Sequence, residues 1–149
     1  MKKMTYFLML TGIILFLQSC GASKPGSFVQ YTATDPGTWT AIQIRDDLSY
    51  DKAFGEVLDI VARQFEMDMI SKDGGYGRTN WTYTWNLKGE YVKKYRARFI
   101  FKFSADKTRI EIKSEAEWGG EPDWKKGWDT RLLSTMKQDI MGAVGRTVL

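Results

Sequence analysis

The 149-residue chain contains no histidine and a single cysteine. The absence of histidine removes the commonest general base, the commonest metal ligand and the only side chain whose unperturbed pKa lies near neutrality. One cysteine cannot form an internal disulfide. The chain also lacks a Gly-x-Ser-x-Gly elbow and a convincing set of metal ligands, which excludes most familiar nucleophilic and metal-dependent mechanisms. We therefore expect no enzymatic activity, no cofactor and no metal ion.

The charge balance argues against nucleic acid as a partner. The formal net charge of +4 falls to +2, from 20 basic and 18 acidic residues, when Lys2 and Lys3 are left out. A nucleic-acid-binding protein usually concentrates basic residues on one face. The charge is nearly balanced, so we expect no nucleic-acid partner.

The N-terminus has the layout of an export signal. Two lysines precede residues 6–17, which carry no charge, and the small residues Ser19 and Gly21 flank Cys20. This order of basic, apolar and small residues is typical of a secretory signal. The apolar run is too short to cross a hydrocarbon core about 30 Å thick as a helix. We therefore expect a cleaved signal and not a membrane span.

Leu17-Gln18-Ser19-Cys20 resembles the signal of bacterial lipoproteins. The resemblance implies that residues 1–19 are removed as a signal peptide and that a lipid is attached to the Cys20 thiol, which anchors the chain to a membrane. It also implies the outer membrane, because Gly21 is not the aspartate that favours inner-membrane retention. The alternative is an ordinary buried thiol, but a leftover thiol in an oxidising compartment is a liability unless it is capped.

Residues 20–37 are rich in Gly, Ser, Thr and Pro and show no sustained period, so they are predicted to form a flexible tether. The remaining residues, 38–149, suit one domain.

Two amphipathic helices are predicted in this domain. Ser49 is the expected N-cap of a helix that ends near Phe65, and Asp129 is the expected N-cap of the last helix. The apolar residues of the first helix fall on one face, at Phe54, Val57, Leu58, Val61 and Phe65.

Alternation predicts five strands, over residues 39–45, 66–71, 79–86, 92–103 and 109–118. Residues 92–103 and 109–118 are expected to form a hairpin around Asp106-Lys107, in which residue i pairs with residue 213 minus i. This register places Phe101 opposite Ile112 on the core side, and it makes most of the outward pairs salt bridges. The charge run is thus interpreted as a solvated ladder, with an anion-binding strip as the alternative.

The element order β-α-β-β-β-β-α describes a single α+β domain, with two helices packed on one face of a mainly antiparallel sheet of about five strands. From about Trp39 to Leu149, the order and the Tyr-Asp-Lys-Ala-Phe helix start resemble small domains of outer-membrane assembly lipoproteins, such as the repeated domain of the C subunit of the barrel-assembly machinery. The resemblance supports the fold more than the function.

Two functional hypotheses follow. The first is a non-enzymatic accessory lipoprotein that is anchored to the membrane through acylated Cys20 and binds an envelope protein. The second is a glycan- or peptidoglycan-binding lipoprotein that uses Trp118, Trp124 and Trp128. We expect Trp118 and Trp128 to be largely buried and Trp124 to be accessible, which makes Trp124 the candidate contact residue.

Overall fold

The computed structural model describes residues 24–37, 39–83 and 92–146, which form seven strands and two helices in one α+β domain. In chain order these elements are β1 Phe28–Gln30, β2 Thr40–Gln43, α1 Tyr50–Ala62, β3 Met67–Ser71, β4 Tyr76–Thr79, β5 Tyr95–Phe103, β6 Arg109–Trp118, β7 Lys125–Asp129 and α2 Thr130–Val144.

The β5–β6 hairpin is the centre of the sheet, and its predicted register is confirmed. Phe101 pairs with Ile112 and Phe99 pairs with Ser114, so every pair sums to 213. A slip of one residue would move the buried aromatic side chains into water, and a slip of two residues would break the opposite-charge pairs, so the two patterns together specified this register. At the tip, Lys107 adopts a left-handed φ of 60°. The pKa of Asp106 is lowered to about 2, because its carboxylate accepts hydrogen bonds from the hydroxyl of Ser104 and from the backbone and side chain of Thr108.

The described strands form one antiparallel sheet in the order β1-β7-β6-β5-β4-β3, and β2 also pairs with β6. β2 and β7 share one edge of β6. β2 pairs with residues 109–112, and β7 pairs with residues 116–118. The two strands diverge at Ser114, whose hydroxyl donates to the carbonyl oxygen of Asp129 (2.7 Å) and accepts from its amide (3.0 Å).

Both helices cover the same face of the sheet, as predicted. The ring of Phe54 on α1 lies 5.9 Å from Phe101 and 5.7 Å from Phe103, and Met136 and Ile140 of α2 are fully buried in the same core. The predicted N-caps are confirmed. The side chain of Ser49 accepts from the amide of Lys52, and the side chain of Asp129 accepts from the amide of Leu132.

Asp129 also joins the first strand to the last helix. Its carboxylate is fully buried and accepts hydrogen bonds from the hydroxyls of Ser27 (2.8 Å) and Tyr95, in addition to the amide of Leu132 (2.8 Å). A buried carboxylate is tolerated only when donors satisfy it. Burial, followed by the neighbouring carboxylate, raises the pKa of the Tyr95 hydroxyl well above its ordinary value. The Tyr95 hydroxyl therefore stays protonated and donates to Asp129.

The folded domain begins earlier than the predicted start at residue 38. Residues 28–30, which fall in the predicted tether, form β1 and pair with β7, and Phe28 is buried against Tyr95. The prediction that all of residues 20–37 form a flexible tether is therefore wrong for this strand. β1 and β7 are also the two strands that the predicted five-strand order omitted. β1 has only three residues, and the sequence Lys-Lys-Gly-Trp-Asp of β7 does not alternate between apolar and polar residues.

The predicted strand over residues 79–86 is shifted. β4 spans Tyr76–Thr79 and so begins three residues earlier than predicted. Gly77 pairs with Phe101, whose ring fills the space that a Cβ at residue 77 would need. Beyond Thr79, an isolated bridge joins Thr82 to Ala97. Residues 84–91 lie outside the described residues.

Candidate functional site: the outer face of the sheet

The candidate site is the sheet face that points away from the helices, which we call the outer face. It is formed by the residues of β5 and β6 that alternate with the buried ones, namely Arg96, Arg98, Ile100, Lys102, Glu111, Lys113, Glu115 and Glu117. Successive side chains of a strand point to opposite faces. The chain thus presents a charged ladder on the face opposite its aromatic core.

The ladder consists of cross-strand ion pairs at the predicted positions. Nη2 of Arg96 lies 2.5 Å from Oε2 of Glu117, and Nη2 of Arg98 lies 2.6 Å from Oε2 of Glu115. Burial alone would raise the pKa of Glu115, but hydrogen bonds from Lys113 and Arg98 outweigh it and lower that pKa. Glu117 is only 9% exposed. This part of the ladder is therefore less exposed to solvent than we predicted from the sequence.

Tryptophan rings account for this burial. Cζ of Arg96 lies 4.7 Å from the ring centroid of Trp81 and 4.5 Å from that of Trp124, so its guanidinium contacts two indoles. Cζ of Arg98 lies 4.4 Å from Trp81. Arg96 also donates to the hydroxyl of Tyr83 (3.1 Å). Cation–π contacts of this kind contribute about 0.5 to 1 kcal/mol when exposed and about 2 kcal/mol when desolvated.

A second group of contacts lies toward the tip of the hairpin. Nζ of Lys102 is 4.3 Å and Nζ of Lys113 is 5.1 Å from the ring centroid of Trp39. Between the two groups, Ile100 is only 4% exposed, although it lies on the outer face. The outer face therefore has an apolar centre as well as charges.

The β1–β7 side of the outer face carries a stacked aromatic pair. The rings of Tyr31 and Trp128 lie 5.5 Å apart with an interplanar angle of 25°. Burial, followed by the charge of Glu115, raises the pKa of the Tyr31 hydroxyl. Beside this pair is a cavity of about 130 Å³, lined by Tyr31, Asp35, Gly37, Thr40, Lys113, Ser114, Trp128 and Leu133. Small-molecule sites usually measure about 300 to 1,000 Å³, so this cavity suits a side chain or a small fragment better than a metabolite.

The structure does not bring the three predicted glycan-contacting tryptophans together. Trp118 packs against the core, on the side of β6 that faces the helices, whereas Trp124 and Trp128 lie on the outer face. The expected difference in exposure is wrong as well, because all three rings are half-buried. Trp124 is held against Arg96 and is not a freely exposed ring.

Sequence reasoning missed Trp39 and Trp81 as components of this face. A signal existed for Trp81, since it alternates with inward-facing residues and the neighbouring strand carries Arg96 and Arg98 at every second position. Pairing the predicted strand that contains Trp81 with β5 would have placed its indole over the guanidinium groups of β5. Cys20 lies outside the described residues, so its lipidation stays a prediction.

Within the described part of the chain, no group of three or more Asp, Glu or Cys side chains is arranged to hold a metal ion. Neither described helix is long and apolar enough to cross a membrane. No protein-family model matches this chain, and no curated protein matches it significantly.

Proposed function

We propose that this chain is a lipid-anchored, non-enzymatic protein of the bacterial cell envelope that binds another envelope protein through its outer face. The anchor is proposed from the Leu17–Cys20 sequence, with the outer membrane as its location. The observation that supports the binding role is the arrangement of half-buried tryptophans against arginines on one sheet face.

This composition matches the centre of a protein interface. Trp, Tyr and Arg are the residue types most enriched among those that carry binding free energy. Trp39, Trp81 and Trp124 leave part of each ring exposed while their positions are fixed by cations of the sheet. Side chains that are already fixed lose little conformational entropy on binding. The face is thus pre-organised for a partner.

The proposed role is non-enzymatic because the charged groups of the face neutralise one another. Arg96 pairs with Glu117, Arg98 with Glu115, and Lys102 with Glu111. A catalytic acid or base needs a pKa near the working pH, whereas the pKa values of Glu111 and Glu115 are lowered and keep these carboxylates ionised.

The anchor and the interface can be tested separately. Metabolic labelling with a fatty acid should label the wild-type protein but not Cys20→Ser, and density-gradient fractionation should place the labelled protein in the outer membrane. Labelling of the Ser variant would refute the anchor.

For the interface, a photo-crosslinking amino acid should be placed at Ala41, an exposed position on the outer face opposite Glu111, and at Gln138 on the exposed side of α2 as the matched control. In intact cells, Ala41 should give a discrete crosslinked product that Gln138 does not give. Equal products from both positions, or none from Ala41, would refute binding through this face.

A further inference from the structure

Four exposed lysines lie together at one end of the sheet. Lys93 and Lys94 precede β5, and Lys125 and Lys126 begin β7. We call these four residues the lysine end. Trp118 pairs with Tyr95 on one side and with Lys125 on the other, so the two lysine pairs are about 10 Å apart, which is two strand spacings. The carbonyl of Lys94 also accepts from the amide of Gly119 (2.9 Å), which fixes the loop between them.

The lysine end has uncompensated positive charge. Among the described residues, none of its four ammonium groups forms an ion pair, in contrast to the arginines of the ladder. The neighbouring acidic side chains of the loop are Glu121 and Asp123, both exposed. Glu117 lies opposite Lys126 but is paired with Arg96. Among the described residues, four lysines and two loop carboxylates therefore leave a local excess of two positive charges.

The chain enters the sheet at the end of β7 opposite to the lysine end. Phe28, the first residue of β1, pairs with Asp129, which is four residues along β7 from Lys125 and therefore about 14 Å away. Phe28 lies eight positions after Cys20, and eight residues span at most about 28 Å when extended. The Pro25–Phe28 turn, closed by a 3.0 Å hydrogen bond, shortens this reach. A lipid on Cys20 would hold the lysine end within reach of the bilayer surface.

We propose that the lysine end docks the anchored domain onto the anionic headgroups of the membrane. This inference rests on the lipid anchor of the proposed function and assigns the anchored domain an orientation. Lysines near an anionic bilayer are attracted to it, and a short tether raises the effective concentration of the surface they meet. An acidic protein would attract the same charges, but a tether this short would hold the whole domain at the bilayer surface and therefore favours the bilayer. Docking by this end would leave the face around Ile100 and Lys113 open to a partner.

The test uses the lipidated protein purified from membranes and mixed with vesicles that carry nitroxide spin labels on a fraction of their headgroups, which quench nearby tryptophans. Trp124 directly precedes Lys125. The difference in quenching between the wild type and Trp124→Phe isolates the signal of Trp124 from that of the other tryptophans. We expect strong quenching in phosphatidylglycerol vesicles, weak quenching in phosphatidylcholine vesicles, and reversal by salt. Substitution of all four lysines by Gln should lower the ratio of docked to undocked protein by about six hundredfold, since each lysine contributes about fivefold. The control variant Lys52→Gln/Lys137→Gln, on the two helices, should dock like the wild type.

The outcomes separate the two proposals. Equal quenching in both kinds of vesicle, or full quenching in the four-lysine variant, would overturn docking, whereas flotation with phosphatidylcholine vesicles would still support the anchor. Quenching by phosphatidylglycerol vesicles without flotation on phosphatidylcholine would refute the anchor and retain the charged surface. A fluorescence response to poly-glutamate, with none to anionic vesicles, would overturn docking in favour of an acidic protein.

Discussion

Arg96→Ala should be among the most destabilising substitutions on the outer face, because the Arg96 side chain contacts an acidic residue and two tryptophan rings at once. Nε and Nη2 of Arg96 both lie within 2.6 Å of Oε2 of Glu117, and its guanidinium lies against Trp81 and Trp124. The substitution removes all of these interactions and leaves a carboxylate that is only 9% exposed without its cation.

The magnitude follows from these contacts. Loss of hydrogen bonds to a charged group costs about 1.5 to 3 kcal/mol. Two cation–π contacts add about 1 kcal/mol or slightly more in total at a partly exposed site. The side chain of Arg96 is 21% exposed, so the full penalty of a buried broken pair does not apply. We expect Arg96→Ala to lower the free energy of unfolding by about 3 kcal/mol, a large part of the 5 to 15 kcal/mol typical of a domain.

A double-mutant comparison identifies the cause. Adding Glu117→Gln to Arg96→Ala should recover about 1 kcal/mol, because no charge is then left unpaired. Lys94→Ala, at an exposed basic residue that directly precedes β5, is the control and should cost less than about 0.5 kcal/mol. Denaturant unfolding followed by circular dichroism measures all five proteins: the wild type, Arg96→Ala, Glu117→Gln, the double variant and Lys94→Ala. The reasoning is refuted if Arg96→Ala unfolds at the same midpoint as Lys94→Ala, or if Glu117→Gln adds its full cost to that of Arg96→Ala.

Three further predictions concern the scaffold. Gly77→Ala should destabilise the domain by about 1 to 3 kcal/mol, because the new Cβ would lie 2.3 Å from the Phe101 ring, whereas Gly55→Ala meets nothing within 4 Å and should be neutral or stabilising in thermal unfolding. Asp129→Ala should cost about 3 kcal/mol in denaturant unfolding through the lost N-cap and the unsatisfied buried hydroxyls, and a cost below about 1 kcal/mol would contradict the buried network. Hydrogen bonds from a serine hydroxyl and a threonine within its turn lower the pKa of Asp106 from 3.8 to about 2. Its contribution to stability is therefore present above about pH 4 and is lost as the pH falls toward 2. Asp106→Asn should remove this part of the dependence of the free energy of unfolding on pH.

The central hairpin could be predicted from the sequence because two independent patterns agree on it. Aromatic and aliphatic residues alternate along both strands, and only one register pairs Arg98 with Glu115 while Phe99 faces inward. The N-caps at Ser49 and Asp129 were predictable for a similar reason, since a capping side chain acts within three residues of its own position.

The outer face could not be predicted in the same way because its contacts are distant in sequence and come from loops. Trp124 contacts Arg96 only because the loop after β6 passes the start of β5. Trp39 contacts Lys113 only because β2 pairs with residues 109–112 of β6. The sequence places a tryptophan in the loop and a basic residue in the strand, but it contains no local signal that the two side chains are in contact. Half-buried tryptophans therefore cannot be assigned to a core or to a surface from their neighbours alone.

The position of β1 changes what the anchor implies about the partner. A tether of eighteen residues would let the domain sample a wide volume, because flexible chains extend about 5 to 6 Å times the square root of their length. Since Phe28 is already part of the sheet, the connection to a lipid on Cys20 would be only about eight residues long. The outer face would then stay within a few tens of Å of the bilayer. With the proposed anchor, a partner of this face must be embedded in the same membrane or must extend close to its surface, and a freely diffusing protein would gain nothing from so short a connection.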